Sequence, residues 1–479
     1  MAMSRSVPLL TAAIVAVAAL MAAFSGTASG ADIWVDPARG NNAWSGSETR
    51  PLATVTAAWN RLPQTSTEQT TIHLRAGDYR GRTPNYWEDK GGSASARVIF
   101  RSADGRGRAR LPGVNLFQVR YLEFRGISFT DGGDVVHCER CRNFVLRNVN
   151  VTGRGAQETI KVNQSTGISI LGSRVKGAGD NSIDFVAVGR GRIRNNVVSD
   201  AGDWCAYAKG GSWDIVVSGN LFTRCGTGGF SAGQGTGFQF MESPWLQYEA
   251  VGVVVRDNTV TETEGAAFGI QGGFNVLVAD NVARRVGRRS HLLEAVFGLR
   301  SCDGRPGDEG RERCQAYLDE GGWGTTVVDD GSNSVRIGNR HAYFSGNVIL
   351  NPMPYESQWQ QLEVFGGYGA QPGTNVPADT AGDSDLRFLR NVIWNGDSGK
   401  PLGIPSQSGG CRTENPTCNP NLVREGNRIN ARRPSLEAGT GGRLQVTGWA
   451  ATYRAQASPP QPDWTDLPAG SAPWTTWPR

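Results

Sequence analysis

The sequence predicts an all-β fold, a right-handed parallel β-helix solenoid with a short N-terminal capping helix and long loop insertions. A six-residue pattern that begins and ends on an apolar residue recurs every 22 to 24 residues, as at Phe124, Leu146, Ile170 and Ile193. Each copy alternates apolar and polar residues, bends at Gly or Asn and then alternates again. A fixed period of this size indicates stacked units that bury one face of every strand.

The fourth position of the repeated pattern predicts how the units stack. It is occupied by Asn196, Asn220, Asn258, Asn281, Asn347 and Asn391. Asparagine tolerates the left-handed backbone conformation and hydrogen bonds within its own turn. In a solenoid these side chains would lie above one another and bond along a ladder, so we give them a structural role and no part in a functional site.

The two ends of the chain differ from the repeated middle. Arg5, the apolar run from Val7 to Phe24 and the small residues after it have the order of a cleavable export signal. A short helix around Ala57–Trp59 would cap the open end of the stack, and Thr71 would begin the first strand. The predicted boundaries are 1–30 for the export signal, 31–110 for the entry region, 111–400 for the coils, and 401–479 for a C-terminal cap with an irregular Pro-rich tail.

The charge and the cysteine content of the chain bear on where the protein acts and what it binds. The net charge is +5 and only five of the 49 basic residues are lysines, a mild basic balance that suits a polyanionic substrate. Eight cysteines fall in close pairs, which in an exported protein predict disulfides. The Cys138-x-x-Cys141 pair has no second ligand pair at zinc spacing. We expect a secreted monomer with no membrane span in the mature protein and no nucleic-acid partner.

The entry region carries a family resemblance. Asp36, Gly40-Asn41-Asn42, Gly46 and Pro51-Leu52-Ala53-Thr54, followed by Leu74-Arg75-Ala76-Gly77-Asp78-Tyr79, resemble the start of exported β-helix proteins of the pectate-lyase-like superfamily. Family-nine pectate lyases and the alginate and chondroitin lyases of family six are among these proteins. The resemblance covers about residues 32–400 and implies the fold together with activity on a polysaccharide, while one fold hosts many functions.

The resemblance also suggests a calcium site and a lysine base. Asp180-Asn181-Ser182-Ile183-Asp184 is similar to the acidic cluster of family-nine lyases, with Asn in one acidic place. Where that family has Gly-Phe-Lys, this chain has Gly237-Phe238-Gln239. Ala208-Lys209-Gly210 looks like the lysine coil of family six, and the next coil has no arginine. Glu158 lies one coil before Asp180, so Glu158, Asp180, Asn181 and Asp184 are the predicted ligands of Ca²⁺.

An acidic polysaccharide is the expected substrate, cleaved by β-elimination. Elimination removes the proton at C5 of a uronate and expels the oxygen at C4, so it needs a cationic partner for the carboxylate, a base and an acid. Lys209 is the preferred base because lysine is scarce and this one lies among small residues. Trp204, Tyr207 and Trp213 flank it and would stack on sugar rings. The other reading of Lys209 is an exposed side chain on a flat sheet.

Two insertions in the repeat are expected to build the binding face, because long loops on a rigid solenoid usually do so. The first runs from Gly226 to Glu249 and supplies the substrate-binding candidates Gln234, Gln239, Glu242 and Trp245. The second runs from Arg288 to Asn339 and supplies His291 and Arg300 as further acid, base or carboxylate-binding candidates. Their alternative role is ordinary loop packing.

Two other functions remain open from the sequence. A glycoside hydrolase on the same fold would use clustered carboxylates. Polygalacturonases of this fold also carry a Gly-His-Gly segment, which this sequence lacks, and Asp329-Asp330 is the acidic pair left for such a role. A carbohydrate-binding or surface β-helix protein without turnover is the second alternative, and the absence of the lysine and arginine of the two lyase families favours it.

Overall fold

Three long parallel sheets wind around a common interior in the computed structural model of the chain. The structure describes residues 31–467 except 156, 304, 306, 327–334, 368–370, 372–373, 381, 397–398, 406–410, 413–414 and 466. The export signal, Asp329-Asp330 and the end of the tail lie outside the described residues. Each coil passes from sheet 1 to sheet 2 to sheet 3 and then returns to sheet 1 one level up.

The three sheets contain nearly all of the strands. Sheet 1 consists of Ala31–Val35, Thr70–Leu74, Val98–Ser102, Leu122–Arg125, Val145–Arg147, Ser169–Leu171, Arg192–Arg194, Ser212–Ser218, Ala250–Arg256, Gly273–Ala279, Arg340–Ser345 and Ser384–Leu389. Sheet 2 consists of Gly77–Asp78, Ala109–Leu111, Ser128–Thr130, Asn150–Thr152, Arg174–Lys176, Val197–Ala201, Leu221–Cys225, Thr259–Thr261, Val282–Arg284, Val348–Asn351, Val392–Asn395 and Arg428–Ile429. Sheet 3 consists of Trp87–Glu88, Val114–Phe117, Val136–Glu139, Ile160–Asn163, Ile183–Val186, Trp204–Lys209, Gly228–Gly233, Ala266–Gln271, Leu293–Val296 and Leu362–Val364.

The remaining elements lie in loops and at the ends. A small sheet is formed by Gly235–Gly237, Gly298–Ser301 and Val335–Ile337, and a hairpin by Ser435–Ala438 and Leu444–Thr447. The α-helices are Val55–Arg61, Glu309–Asp319, Pro420–Gly426 and Gly448–Arg454, and the 3-10 helices are Phe238–Phe240, Ala378–Thr380, Pro416–Cys418 and Thr440–Gly442.

The fold follows from the alternation within each strand. In the sheet 3 strand Ile183–Val186, Ile183 and Phe185 are fully buried in the interior, while Asp184 points to the opposite face. The first helix is capped by Thr54, whose side chain accepts a hydrogen bond from the Ala57 amide, and it buries Val55 and Trp59 against the stack. The chain is therefore a parallel β-helix with the predicted N-terminal capping helix.

The predicted asparagine ladder is confirmed. The Nδ2 of Asn196 donates to Oδ1 of Asn220 at 3.0 Å, and Asn220 donates in the same way to Asn258 at 2.9 Å. The chain of bonds continues through Asn281, Asn347 and Asn391 and ends on Asn427, which the sequence pattern did not single out. Each amide also donates to a backbone carbonyl, for example Asn258 to Val217. The ladder fixes the register of neighbouring coils.

The three longest insertions between the first and last coils leave the stack at the same corner. The link between sheet 1 and sheet 2, where the ladder lies, has two residues in ten coils and six residues, 103–108, in one coil below the ladder. The long connections 234–249, 297–339 and 365–383 all run from sheet 3 to sheet 1. The predicted insertions therefore began too early, because Gly228–Gly233 and Leu293–Val296 are strands of sheet 3. The first strand was also placed too late, since Ala31–Val35 pairs in parallel with Thr70–Leu74.

All four predicted cysteine pairs are disulfides, with Cys138 bonded to Cys141, Cys205 to Cys225, Cys302 to Cys314 and Cys411 to Cys418. Cys205 belongs to a sheet 3 strand and Cys225 to the sheet 2 strand that follows in the next coil, so this bond links neighbouring coils. Disulfides of this number fit an exported protein. Within the described part of the chain, no helix has both the length and the apolar character needed to cross a bilayer.

A second, shorter ladder ends on a buried carboxyl group, and this predicts a pH-dependent stability. Asn339 donates to Oδ1 of Asp383 through both its amide nitrogens, while burial raises the pKa of Asp383 to about 8. The folded state therefore holds this proton more tightly than the unfolded state, and stability is lost as the pH rises from about 4 to 8. Asp383→Asn keeps the acceptor and removes the charge. At pH 8.5 we expect this variant to have a higher urea midpoint, corresponding to a gain on the order of a few kcal/mol in the free energy of unfolding. At pH 4.5 the midpoint should change little. An equal shift at both pH values would contradict the argument.

Candidate active site

A cleft of about 630 Å³ lies on the outer face of sheet 3. Successive coils supply Lys161, Asp184 and Tyr207, which occupy the same register position on three neighbouring strands. Asn163, Val186 and Lys209 form a second column two residues further along the same strands. Since neighbouring strands lie about 4.8 Å apart, side chains from separate coils meet in one place.

The insertions form one wall of the cleft. Gly235–Gly237 from the first insertion pairs in parallel with Gly298–Ser301 from the second. A fully buried ion pair, Arg300 Nη2 to Glu249 Oε1 at 2.6 Å, joins the two insertions. The helix Glu309–Asp319, held by the Cys302–Cys314 disulfide, brings Arg313 to the cleft. The wall therefore depends on contacts between residues that are far apart in sequence.

Asp184 is the most perturbed acid of the cleft. Its side chain is 2% exposed, and this burial raises its pKa to about 7 although Lys209 and Lys161 favour its charged form. The Tyr207 side chain lies beside the Asp184 carboxyl at the same register position on the next strand, and the pKa of Tyr207 is itself raised by burial and by Asp184. At neutral pH the Asp184 carboxyl is therefore poised between its protonated and ionised forms.

Lys161 is tied to carboxylates. Its Nζ lies 3.0 Å from Glu158 Oε1 and 3.9 Å from Asp184 Oδ2. Burial disfavours the ammonium, but Asp184 and Glu158 outweigh it and raise the pKa of Lys161. Burial likewise acts against ionised Glu158, and the hydrogen bond from Lys161 outweighs it, so the pKa of Glu158 is lowered. Glu158 and Lys161 thus form an internal ion pair on the floor of the site.

Lys209 has neutral neighbours instead. Its Nζ donates to Oε1 of Gln234 at 3.0 Å and lies 4.6 Å from the centre of the Tyr207 ring. The flanking Ala206 and Ala208 are buried in the interior, so the strand holds the lysine on the outer face. No carboxylate of the described residues lies within ion-pair distance of Lys209. Its amine is thereby placed beside the Tyr207–Asp184 pair and directed toward the cleft.

The predicted calcium ligands do not form a cage in this arrangement. Asn181 uses Oδ1 to accept the Trp204 amide and Nδ2 to donate to Asp180. The Lys161 ammonium lies between Glu158 and Asp184, where a bound cation would be needed. Across the described ranges, no three His, Cys, Asp or Glu side chains are grouped to hold a metal ion. The calcium requirement stays a prediction.

The structure brings together seven of the residues predicted from sequence: Glu158, Asp180, Asn181, Asp184, Tyr207, Lys209 and Gln234. Trp213, Glu242 and Trp245 line a neighbouring groove. Lys161, Arg140 and Asp203 also line the cleft and were not singled out by the sequence. The coil period would have found Lys161, which precedes Asp184 by the same 23 residues that separate Asp184 from Tyr207.

Four predicted residues lie elsewhere, and their roles are corrected. Arg300 is fully buried and donates to Glu249 and to the carbonyls of Leu246 and Trp323, so it holds the wall together and does not face the cleft. Trp204 is 1% exposed and packs over Gly228 and Gly269, so its ring is covered.

Gln239 and His291 are likewise engaged outside the cleft. Gln239 is buried and donates to Asp303 in the second insertion. His291 lies among buried side chains near the top of sheet 3, with Nε2 at 2.8 Å from Glu294 Oε2 and Nδ1 at 3.5 Å from Glu363 Oε2. These contacts give Gln239 and His291 structural roles inside the protein.

Comparison with known proteins supports the class of fold. The chain is similar to a GH136 lacto-N-biosidase from Eubacterium ramulus, with a TM-score of 0.50 and 11% identity over 78% of this chain and 65% of that chain. It thus spans less than two thirds of that protein. XylC in complex with xylose matches with a TM-score of 0.50 and 10% identity over 87% of this chain and 89% of that chain. A rhamnogalacturonan lyase matches with a TM-score of 0.46 and 10% identity over 76% and 90% of the two chains.

The three parallel sheets, together with the two likenesses at a TM-score of 0.50, show a parallel β-helix fold. No protein-family model matches the sequence, and no curated protein sequence matches it. At about 10% identity the likeness extends to the fold and leaves the chemistry to the residues of the cleft.

Proposed function

We propose that the protein is an exported polysaccharide lyase that cleaves a uronate-containing polysaccharide by β-elimination in the sheet 3 cleft. The observation that carries the proposal is the position of Lys209, held by the neutral Gln234 side chain beside the Tyr207–Asp184 pair. The structural neighbours named as a lacto-N-biosidase and a xylose complex add support for a saccharide ligand.

The role of each side chain in the elimination follows from the proton that it can accept or donate and from the charge that it carries. The unprotonated amine of Lys209 takes the proton from C5, the electron pair of that C–H bond forms the C4–C5 double bond, and the bond from C4 to the glycosidic oxygen breaks. Protonated Asp184, next to Tyr207, donates its proton to the departing oxygen. Arg140 and Arg313 also line the cleft and would bind the uronate carboxylate in exchange for their surface partners Glu139, at 3.8 Å, and Glu309, at 2.8 Å.

Hydrolysis is the second candidate, and one observation favours it. The pKa of Asp184 is raised and that of Glu158 is lowered, and two carboxyl groups with diverging pKa values suit a proton donor and a base that activates water. Elimination ranks first because Glu158 Oε1 is engaged by Lys161 at 3.0 Å, whereas Lys209 has a neutral partner.

The reaction product distinguishes elimination from hydrolysis. Purified protein would be incubated with pectate, alginate, glucuronan and glycosaminoglycans, with and without a chelator. We expect an unsaturated product that absorbs in the ultraviolet from at least one of them. New reducing ends without this absorbance would replace elimination by hydrolysis, and binding with neither product would leave a carbohydrate-binding protein.

The proton donor predicts the pH profile. Asp184 donates only while protonated, and its pKa is raised to about 7 by burial. We therefore expect the slope of log kcat against pH to become more negative by about one as the pH rises through about 7, because the acid is progressively ionised above that value. The measurement is kcat at saturating substrate from pH 5 to 9. Asp184→Asn should lose most of the activity and the dependence near pH 7 together, and an unchanged profile in that variant would remove Asp184 from the mechanism.

A further inference from the structure

A second groove of about 650 Å³ lies beside the cleft at the corner between sheet 3 and sheet 1. The two share Arg140 and Gln164 in their linings, so they form one continuous depression. We call the second part the corner groove. It is lined by Gln118, Arg120, Arg140, Cys141, Arg142, Gln164, Thr166, Ala187, Trp213, Glu242, Ser243, Pro244 and Trp245.

One column of the corner groove is built coil upon coil. Backbone bridges pair Arg120 with Arg142, Arg142 with Thr166, Thr166 with Gly189 and Gly189 with Trp213. Two arginine residues therefore follow each other on neighbouring coils, with their backbones about 4.8 Å apart, and a tryptophan ends the column. The Cys138–Cys141 disulfide spans the turn that carries Arg140 and precedes Arg142. The arginines are consequently attached to a firm corner of the solenoid.

Two of the three arginines of the corner groove, Arg120 and Arg142, have no carboxylate partner among the described residues, whereas Arg140 lies 3.8 Å from Glu139 of the cleft. Three arginines line it and Glu242 is its one carboxylate. Arg120 donates to the Gln64 carbonyl and to the Thr65 hydroxyl, both neutral. The exposed Arg142 guanidinium has no ion-pair or hydrogen-bond partner among the described residues. In the cleft, by contrast, five carboxylates stand beside four cationic side chains. The excess positive charge is therefore confined to the corner groove.

Two tryptophans border the corner groove, Trp213 half-buried and Trp245 only 3% exposed, so Trp213 is the ring that a ligand can reach. The Trp213 and Trp245 rings stack with centroids 5.5 Å apart and an interplanar angle of 27°. Trp245 comes from the first insertion, and Trp213 follows the Lys209-Gly210-Gly211 turn that leaves the cleft. An indole edge beside guanidinium groups combines an apolar contact for a sugar ring with donors for its anionic substituents.

We propose that the corner groove is a binding subsite for consecutive anionic sugar residues of the same polymer that the cleft cleaves, with Arg120 and Arg142 bound to their carboxylate or sulfate groups. This deepens the proposed function, since it rests on a polysaccharide substrate. A polymer that reaches from the cleft into the corner groove is held on one side of its scissile bond. Substrates too short to reach Arg142 gain nothing from the subsite.

Affinity electrophoresis tests the subsite without relying on turnover. The full-length mature protein would be run through gels containing alginate, dextran sulfate or neutral dextran. We expect retardation by alginate, by dextran sulfate or by both, and none by dextran. The double variant Arg120→Gln/Arg142→Gln should lose affinity at least tenfold, and added salt should weaken the wild-type binding. The matched control is Arg174→Gln, which removes an exposed arginine from sheet 2 and should stay within twofold of wild type.

The outcomes separate this inference from the proposed function. Retardation by alginate points to carboxylates as the bound groups, and retardation by dextran sulfate alone points to sulfates. Wild-type affinity in the double variant, or equal retardation by neutral dextran, would overturn the subsite even if the protein cleaves a polymer. Binding that depends on the two arginines, with no cleavage product from any polymer, would support the subsite and refute the lyase. Thermal unfolding of both variants should match wild type because the replaced side chains are at the surface.

Discussion

Lys209→Ala is expected to lower kcat/KM on the cleaved polysaccharide by roughly 10²- to 10⁴-fold, the usual contribution of a positioned general base. Lys209 lies partly exposed at the cleft and bonds only Gln234 among the described side chains, so its loss should leave the fold intact. The measurement is the initial rate of ultraviolet-absorbing product, accompanied by the thermal unfolding midpoint. Full activity in this variant would remove Lys209 from the mechanism.

Two further variants separate a base from a simple positive charge. Lys209→Arg keeps the charge, but a guanidinium stays protonated and cannot accept the C5 proton. It should bind polymer about as well as wild type and remain as inactive as Lys209→Ala. If it recovers most of the activity, Lys209 binds the carboxylate and another group is the base. Lys176→Ala, which removes an exposed lysine from sheet 2, should have wild-type rates.

Asn258→Ala is expected to have the largest effect on stability. Asn258 Oδ1 accepts from the backbone N–H and the Nδ2 of Asn220, and Asn258 Nδ2 donates to Val217 and Asn281. Alanine leaves these buried groups without partners, at about 1–3 kcal/mol for each group that finds no replacement. We expect a loss of roughly 3–6 kcal/mol in the free energy of unfolding, measured by urea denaturation.

The comparison for this variant is an asparagine outside the ladder. Asn421 is exposed in the helix Pro420–Gly426, and Asn421→Ala should change stability by no more than about 0.5 kcal/mol. If Asn258→Ala destabilised the protein as little as Asn421→Ala, the ladder would be a consequence of coil stacking and would not stabilise the stack.

The coil period explains why so much of the fold was predictable. Residues one period apart meet on neighbouring coils, so the position of each asparagine in the repeat predicted the ladder without knowledge of any long loop. The same rule predicted that Glu158 and Asp180 lie close together, and both line the cleft that contains Lys209. Applied to every polar residue on an outward strand position, it would have added Lys161 as well.

The residues that sequence reasoning misplaced depend on how the insertions fold. Arg300 is charged and lies in a long loop, which suggested a surface role, yet it is fully buried because Glu249 of the other insertion supplies its counter-ion. Trp204 lies next to cleft residues in sequence, but the glycines at 228 and 269 leave room for its ring to pack flat on the sheet. Gly228 follows Trp204 by one coil and pairs with it on the neighbouring strand, so the period applied to this tryptophan would have placed that glycine beneath its ring.

The separation of the two corners has an evolutionary consequence. The ladder occupies a corner whose connections are two residues long at every level from Asn196 to Asn391, while the corner between sheet 3 and sheet 1 carries segments as different as 234–249 and 297–339. Residues can therefore be added or lost beside the substrate without shifting any asparagine from its neighbour. Proteins that evolve from this scaffold can acquire new specificities by lengthening or exchanging single loops. The stacked coils do not have to change when the loops do.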